Sequence, residues 1–264
     1  MNWLSPQSYD DRDLARTIGN LDGFFNQLLS SDGRGLIPSE PSSAVVGRVT
    51  ASLRELGLDP TGSFASQCER LSASPTASAG WRASAEPLLT SAFAEWSSVA
   101  ARMRADRSAT AAGTVAGLFT SSGGVPKKPV TSASVGIRGI EGDHQRSRQH
   151  HGRPWQALCI WSRETVERLQ AEGHPIGPGF AGENILLSGV DFASVVAGAR
   201  LRIGSMIADI TLTALPCWKN APWFVDGNFN RMHHSVEPGI SRVYAAVIEP
   251  GTIAVGDKFT VELR

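Results

Sequence analysis

The sequence predicts an α+β protein in which a small helical bundle precedes a β-barrel. Before residue 106, apolar residues recur every three or four positions, which is the spacing of one helix face. After residue 113, short β-branched and aromatic runs alternate with Gly, Pro and Asn, as in a domain of many short strands. The stretch between them lacks large apolar side chains. We therefore predict a helical domain over residues 1–106, a linker over 107–112 and a barrel over 113–264.

The first region contains the pattern of four helices. The first carries an apolar stripe from Leu14 to Leu28, and the second begins after Ser42, whose hydroxyl suits an N-cap. The third and fourth are predicted at about residues 63–71 and 85–103. Because no conspicuous polar residue interrupts these stripes, the region is interpreted as a bundle that packs its apolar faces and has no chemistry of its own.

The second region contains one predicted helix, which Ser162 caps and Gly173 ends. A single helix favours a closed or nearly closed antiparallel barrel, since each parallel pair of strands would need a helix at its crossover. The predicted strands are residues 114–119, 130–137, 157–161, 184–187, 201–203, 206–213, 243–249 and 259–263.

Composition and charge narrow the class of protein. The chain has 264 residues, with 25 basic and 25 acidic side chains and a formal net charge of zero. A balanced charge without a stripe of Lys and Arg argues against nucleic acid as a partner. No apolar run approaches the roughly 20 residues that cross a bilayer, and the first residues lack the pattern of a secretory signal. We therefore expect a cytoplasmic protein that binds neither nucleic acid nor membrane.

Titratable groups are concentrated in the second region, where all six histidines and all four lysines lie. The loop at residues 123–129 combines two glycines with Lys127 and Lys128. Its backbone N–H groups and cations could together bind an anion, although a solvated loop would also explain the pattern.

Residues 139–154 form a second segment of this kind, with Arg146, His150 and His151. Such a density of cations and imidazoles indicates the edge of a site, because neutral imidazole is a natural donor, acceptor or metal ligand, although a surface loop with adventitious histidines would also explain it. Further on, Asn184 stands after two glycines and offers both donor and acceptor groups, while a simple turn is the alternative.

The three cysteines have different surroundings. They are too few and too scattered for a disulfide framework, and no spacing suggests structural zinc. Cys68 lies in a helical stretch and Cys159 in an apolar strand, so both are interpreted as core residues. Cys217 follows an apolar strand and Pro216, and the charge of Lys219 two residues on favours its thiolate form. Cys217 is therefore the strongest candidate for a reactive group.

Six ordered segments resemble the MOSC domain, which is named for the C-terminal domain of molybdenum cofactor sulfurase. The resemblance covers about residues 113–264 and no part of the helical region. The segments are Gly-Gly-Val-Pro-Lys at 123–127, Gly-Ile-Glu-Gly-Asp at 139–143, His-His-Gly-Arg-Pro at 150–154, Gly-Glu-Asn at 182–184, Pro-Cys-Trp-Lys at 216–219 and Val-Ile-Glu-Pro-Gly with a later Gly-Asp at 247–257.

The resemblance implies a MOSC-like β-barrel that binds molybdenum cofactor (molybdopterin), with Cys217 as the metal ligand. A soft thiolate suits a thiophilic metal. The resemblance also implies that His151 takes part in catalysis, that Lys219 tunes the thiolate, and that Lys127 and Lys128 hold the pterin phosphate. The full implied set of cofactor-binding residues is Lys127, Lys128, Arg146, His150, Asn184, Trp218 and Lys219.

Three functions fit these residues and stay open at this point. The first is an oxidoreductase that reduces N-hydroxylated or N-oxide compounds at a molybdenum centre, with electrons from a separate protein. The second is a sulfurtransferase in which Cys217 carries a persulfide from a sulfur-donor protein and no cofactor is needed. The third is a non-catalytic carrier that delivers cofactor to a partner. A homo-oligomer and the role of the helical region are open as well.

Overall fold

The structure is a computed structural model with two compact units, Met1–Arg102 and Met103–Arg264. In the residues that the structure describes, the first unit is helical and the second is a β-barrel with one α-helix. Among the residues that the structure describes, no helix is both long and apolar enough to cross a membrane. The described residues are 10–25, 41–73, 80–105, 109–146 and 151–263.

Polar side chains cap the helices of the first unit. Asp10, Ser42 and Ser63 each accept a hydrogen bond from the backbone N–H three residues further on, which satisfies a donor that the first turn would leave unpaired. The predicted second, third and fourth helices are therefore confirmed to within a few residues. The helices are α1 (Asp11–Ile18), α2 (Ser43–Glu55), α3 (Phe64–Ser72) and α4 (Trp81–Ala105).

The predicted first helix is interrupted in the structure. α1 ends at Ile18, residues 19–20 form a turn, and residues 21–25 are helical again. The Asn20 side-chain amide donates to the Arg16 carbonyl at 2.7 Å, so a side chain occupies a carbonyl that a continuous helix would use. The apolar stripe is still buried as predicted, although Leu28 lies outside the described residues.

Seven strands of the second unit close into a ring, in the order β1, β11, β7, β8, β9, β5, β6 and back to β1. β2 pairs with the C-terminal end of β1, and β10, β3 and β4 form a separate small sheet. The strands are β1 (Ala109–Thr120), β2 (Lys128–Val130), β3 (Ser132–Gly136), β4 (Gly139–Ile140), β5 (Leu158–Ser162), β6 (Ile185–Ser188), β7 (Arg200–Ile203), β8 (Met206–Thr213), β9 (Val243–Glu249), β10 (Gly251–Ala254) and β11 (Lys258–Leu263).

The predicted closed barrel is confirmed, but one pair in the ring is parallel. β5 and β6 run in the same direction, with Ile160 opposite Ile185. Their connection contains α5 (Arg163–Ala171), which Ser162 caps as predicted. A parallel pair requires such a crossover, so the single helix that seemed to favour an all-antiparallel barrel instead marks its one parallel pair.

Some strands were not visible in the sequence. β2 and β4 have three and two residues, which is too short for a period-two pattern to register, and β10 (Gly-Thr-Ile-Ala) has only one large apolar side chain. Residues 109–112, assigned to a linker by the sequence analysis, form the start of β1. Their small side chains give no strand signal, and pairing with β11 supplies the structure that local propensity does not.

One end of the barrel carries the loops that surround a cavity. β1 ends there next to the start of β6, with Leu118 opposite Ile185. β8 ends there next to the start of β9, with Thr213 opposite Val243. The apolar core fills the barrel interior, so polar side chains in these loops face the cavity and not a hollow lumen.

Candidate functional site

An open cavity of about 780 Å³, including its mouth, lies at this end of the barrel. Loops before β2, after β4, before β6 and after β8 line it together with residues of β5 and β9. Among the described residues, the lining includes four basic side chains and two imidazoles but no Asp or Glu. Such a wall attracts anions. The basic and imidazole residues are Lys127, Arg146, Lys219, Arg242, His144 and His151.

Cys217 lies in the cavity wall, half-buried, at the start of the 3-10 helix Trp218–Trp223. Its backbone N–H donates to the Asn220 Oδ1 at 3.4 Å, and its carbonyl accepts from the Asn220 N–H at 2.8 Å. Asn220 is itself buried, so it fixes the turn that presents the thiol. The sulfur therefore stands on an ordered turn within reach of molecules that enter the cavity.

Lys127 forms a buried ion pair behind the cavity wall. Its Nζ lies 2.5 Å from the Asp143 Oδ2, and the two side chains are 10% and 2% exposed. Asp143 also accepts from the Ser121 backbone N–H at 2.8 Å. The charge of Lys127 is thus neutralised within the protein, which leaves it less available to a ligand than its position in the wall suggests.

Asn184 connects β5, β1 and the loop after β4 beneath the cavity. Its Oδ1 accepts from the Cys159 N–H at 3.1 Å, while its Nδ2 donates to the Asp143 Oδ2 at 2.9 Å and to the Phe119 carbonyl at 3.3 Å. All of its polar atoms have partners in the protein, and the residue is 3% exposed. Asn184 therefore positions its neighbours in the cavity wall through both the oxygen and the nitrogen of its side-chain amide.

Arg242 is a buried cation in the same wall, immediately before β9. It is 6% exposed, and its guanidinium donates to the carbonyls of Ala181 and Leu215, the latter at 3.1 Å. It forms no ion pair with any described carboxylate, and its Nε has no hydrogen-bond partner among the described residues. Its positive charge acts on the buried Glu183 carboxyl without forming an ion pair with it.

Tyr244 and Cys159 face each other across β9 and β5 and both line the cavity. Burial raises the pKa of the Tyr244 phenol to about 12 and raises the pKa of the Cys159 thiol. Both groups therefore stay protonated at neutral pH. Two cysteines line the cavity, and Cys217 is the one whose thiol is open to it, since Cys159 is only 7% exposed.

Glu183 is a buried carboxyl next to the wall. Its Oε1 accepts from the Gly179 N–H at 2.5 Å, and its Oε2 has no partner among the described residues. Burial raises the pKa of Glu183, although the Gly179 N–H and the charge of Arg242 oppose the shift. Gly179 has φ +83° and packs so closely that a Cβ would lie 2.7 Å from the Lys127 carbonyl oxygen, so the turn requires glycine.

The structure brings six of the predicted site residues into one cavity and places two elsewhere. Lys128 is exposed on β2, because neighbouring residues of a strand face opposite sides and Lys127 takes the inner one. Trp218 is 70% exposed and does not line the cavity. His150 lies outside the described residues. The six in the cavity are Lys127, Arg146, His151, Asn184, Cys217 and Lys219.

Sequence reasoning did not assign Arg242, Tyr244 or Cys159 to the site. A signal for Arg242 existed, because a single charge directly precedes the apolar run of β9 and a buried charge needs a special reason. Cys159 and Tyr244 carried no such signal, since alternation along a strand does not tell which apolar face meets a cavity. Cys159 is in the core as interpreted, but it also forms part of the cavity floor.

No protein-only metal site is formed by the part of the chain that the structure describes, since no group of three or more His, Cys, Asp or Glu side chains could hold an ion. His233 and His234 lie outside the cavity, with ring centroids 4.2 Å apart. Burial and the neighbouring His233 lower the pKa of His234. A metal in the cavity would therefore have to bring ligands of its own.

The fold and the site define a β-barrel domain with a thiol in an anion-attracting cavity. Residues 147–260 match the family model of the MOSC domain, and this part of the chain is a MOSC domain. The protein YiiM of Escherichia coli (strain K12) is 35% identical to this chain over 89 residues, which is 31% of this chain and 38% of YiiM. The alignment thus spans less than two thirds of that curated relative.

Solved structures of similar proteins come from several bacteria. The YUAD protein from Bacillus subtilis is 19% identical, with a TM-score of 0.47 over 59% of this chain and 98% of that one. YiiM from Escherichia coli is 22% identical, with a TM-score of 0.43 over 57% of this chain and 69% of that one. YiiM from Geobacillus stearothermophilus is 20% identical, with a TM-score of 0.41 over 59% and 75% of the two chains.

Proposed function

We propose that the MOSC domain of this chain binds a molybdenum cofactor in the cavity, with Cys217 as sulfur ligand, and reduces N-hydroxylated or N-oxide compounds. The observation that carries the proposal is a half-buried thiol in a cavity with four basic side chains and no carboxylate among the described lining residues. The cofactor supplies the two-electron chemistry at the N–O bond when it is bound. A separate cytoplasmic donor protein supplies the electrons.

The residues present fit such a group in charge and in the softness of the donor. A molybdenum cofactor is anionic and brings ligands of its own, so one protein thiolate is enough to complete its attachment. Arg146, Lys219 and Arg242 line the cavity and attract the negative charge. Cys217 is the open thiol, whereas Cys159 is kept protonated by burial.

The chain's own residues hold protons near the place of reaction. With a pKa raised to about 12, the Tyr244 phenol remains a hydrogen-bond donor at neutral pH and can orient the oxygen of a substrate. His151 lines the same cavity and, as an imidazole, can pass a proton between solvent and substrate. The Asp143 network holds Lys127 and Asn184 in place, which keeps the wall in one geometry.

The test is metal analysis of full-length protein made in a host that synthesises molybdenum cofactor. Cys217→Ser should reduce bound molybdenum about tenfold or more, since a hydroxyl is a much harder ligand than a thiolate. Cys68→Ala is the matched control, because Cys68 is fully buried in the helical unit and should leave the metal content unchanged. Equal molybdenum in wild type and Cys217→Ser would contradict the ligation.

Persulfide transfer is a second candidate, favoured by the Cys217 sulfur, which is half-buried in the wall of an open cavity. The Cys217 thiolate would attack the outer sulfur of a donor persulfide, forming a Cys217 persulfide and releasing the donor thiolate. Intact-mass measurement with peptide mapping after incubation with a small-molecule persulfide separates the two functions. A sulfur adduct at Cys217 in protein that binds no molybdenum would favour transfer.

A further inference from the structure

Two buried polar atoms beside the cavity have no hydrogen-bond partner in the part of the chain that the structure describes. One is an acceptor, the Glu183 Oε2, and the other is a donor, the Arg242 Nε–H. The two residues are 0% and 6% exposed. Because a buried polar atom without a hydrogen bond is costly, native proteins rarely leave one unpaired. The two atoms therefore indicate a bonding partner other than the described protein groups.

Glu183 and Arg242 hold the same turn. The Glu183 Oε1 accepts from the Gly179 N–H, and the Arg242 guanidinium donates to the Ala181 carbonyl. The charge of Arg242 acts on the Glu183 carboxyl, although the two side chains form no direct hydrogen bond. A single water molecule between them accepts from the Arg242 Nε–H and bonds to the Glu183 Oε2, so it satisfies both atoms at once.

Glu183 does not line the cavity, but its neighbours do. Gly182, Asn184 and Arg242 all lie in the wall, so a water on the Arg242 Nε connects the buried carboxyl with the cavity side. The other titratable groups that face Glu183 are Lys127, whose charge acts on the carboxyl, and Cys159, whose thiol feels the charge of Glu183.

The surroundings of Glu183 suit a carboxyl that releases a proton. Reduction of an N-hydroxylated compound takes up two electrons and two protons, converts R–NHOH into R–NH2 and forms water. Burial favours the protonated form of Glu183, whereas the charges of Arg242 and Lys127 favour the carboxylate that remains after release. The Tyr244 phenol holds its proton more tightly, since its pKa is raised to about 12.

We propose that Glu183 holds a proton for the reaction in the cavity, and that one buried water between the Glu183 Oε2 and the Arg242 Nε passes it on. The inference deepens the proposed function and rests on it for the substrate. Electrons come from the donor protein, one proton comes from Glu183 and the second comes from solvent through His151. The Glu183 carboxylate then regains a proton from solvent. Glu183 is a positioning residue that acts through the water, because it does not line the cavity itself.

A crystal structure of the full-length, cofactor-free protein tests the water. We expect electron density for one water within about 3 Å of both the Glu183 Oε2 and the Arg242 Nε. A direct hydrogen bond between these two atoms, or the lack of such density, would overturn the relay.

Infrared spectroscopy of the same protein tests whether Glu183 holds a proton. Exposed carboxyls are ionised at neutral pH, so the C=O stretch of a protonated carboxyl reports a buried acid. This band should be present in wild type and absent in Glu183→Gln, which keeps an acceptor for the Gly179 N–H. Glu141→Gln is the matched control and should keep the band, since Glu141 is exposed and does not line the cavity. A wild-type spectrum without the band would overturn the proposal, even if Glu183→Gln did not fold.

Alkylation of Cys217 by iodoacetamide, followed by peptide mapping, separates a proton-holding role from a structural one. If Glu183 is neutral, Glu183→Gln changes neither the charge nor the shape of the wall, and the rate at neutral pH should stay within about threefold of wild type. Removal of an ionised carboxylate would instead raise the thiolate fraction of Cys217. A larger change of the rate in either direction would overturn the proposal.

Molybdenum-loaded protein tests the proton transfer itself, with phenylhydroxylamine as substrate and reduced methyl viologen as the source of electrons. Glu183→Gln should lower kcat about tenfold or more and change its pH profile, while KM stays as in wild type. Glu141→Gln should match wild type. A wild-type kcat and pH profile in Glu183→Gln would overturn the transfer. Failure of loaded wild-type protein to reduce the substrate would count against the proposed function, whereas the crystallographic, infrared and alkylation results need no cofactor and would still decide the state of Glu183.

Discussion

Buried polar groups serve different purposes in the two units. In the helical unit they satisfy nearby backbone: Thr17 Oγ1 donates to the Asp13 carbonyl at 2.8 Å, and Ser52 Oγ donates to the Ser84 carbonyl at 2.7 Å. The barrel also has such groups, since Thr211 and Ser241 donate to backbone carbonyls, but Asn184, Asn220 and Arg242 are buried in the wall of one cavity whose charged lining residues, among those described, are all basic. A buried polar group that is satisfied by its own backbone indicates packing, whereas buried charges gathered at an opening indicate a ligand.

The sharpest way to break this comparison is to remove the carboxylate of the buried Lys127–Asp143 ion pair. Asp143→Asn leaves the Lys127 ammonium buried without a counter-charge and weakens the bonds from Ser121 and Asn184. We expect the free energy of unfolding to fall by about 3 kcal/mol, as when one partner of a buried pair is deleted. Urea denaturation followed by fluorescence measures it.

An exposed ion pair provides the control for that loss. Glu237 pairs with Arg168, and the two side chains are 38% and 42% exposed. Glu237→Gln should lower the free energy of unfolding by less than about 1 kcal/mol, because water and salt screen such pairs. Equal effects of Asp143→Asn and Glu237→Gln would show that the Lys127 pair is not the buried element described here.

A smaller effect is expected from Glu183→Gln, and it should depend on pH. Burial raises the pKa of Glu183 above its ordinary 4.5, so folding favours the protonated carboxyl. The stabilisation from Glu183 is therefore fully present below about pH 4.5 and is lost as the pH rises through the raised pKa. Relative to wild type, Glu183→Gln should therefore gain stability as the pH rises from about 4.5 through the raised pKa of Glu183.

Thermal and urea unfolding across this pH range checks the sign. Glu141→Gln is the control, because Glu141 is exposed and its replacement should leave the pH dependence of wild type unchanged. A Glu183→Gln variant whose stability follows wild type in parallel at every pH would remove Glu183 as a titrating group of the folded barrel.

A small effect is expected in the helical unit, where it should remain local. Ser52→Ala removes the donor to the Ser84 carbonyl and should lower the free energy of unfolding by about 1 kcal/mol. The rate of Cys217 alkylation should stay as in wild type, because the Ser52 hydroxyl bonds to a carbonyl within the helical unit. A change in that rate would contradict the division between a packing unit and a cavity-bearing unit.

The sequence was sufficient for the fold where one element carries its own pattern. The second, third and fourth helices, the long strands and α5 follow from caps and periodicity. The sequence was insufficient where the structure of a segment depends on the strand with which it pairs. β4 has two residues, the first residues of β1 depend on β11, and the parallel register of β5 and β6 depends on a crossover that no local pattern specifies.

For the site, the chemical type of the residues was predictable from the sequence, but the orientation of their side chains was not. Cys217, Lys127 and Asn184 were recognisable because reactive, charged and amide groups stood in glycine-rich or proline-bounded loops. Their partners were not, because Asp143 approaches Lys127 across 16 residues and Asn184 across 41. The alternation that turns Lys128 away from the cavity could be read only once β2 was known to exist.

The long strand β1 has a consequence for how this domain is made. It pairs with β11, so that Ala109 lies opposite Leu263, and with β6 through its later residues. The ring can therefore close only after β11, the last strand of the barrel along the chain, has been made, and a nascent barrel that lacks β11 stays open. A ligand of the cavity can therefore bind to the complete barrel only after β1 has paired with β11.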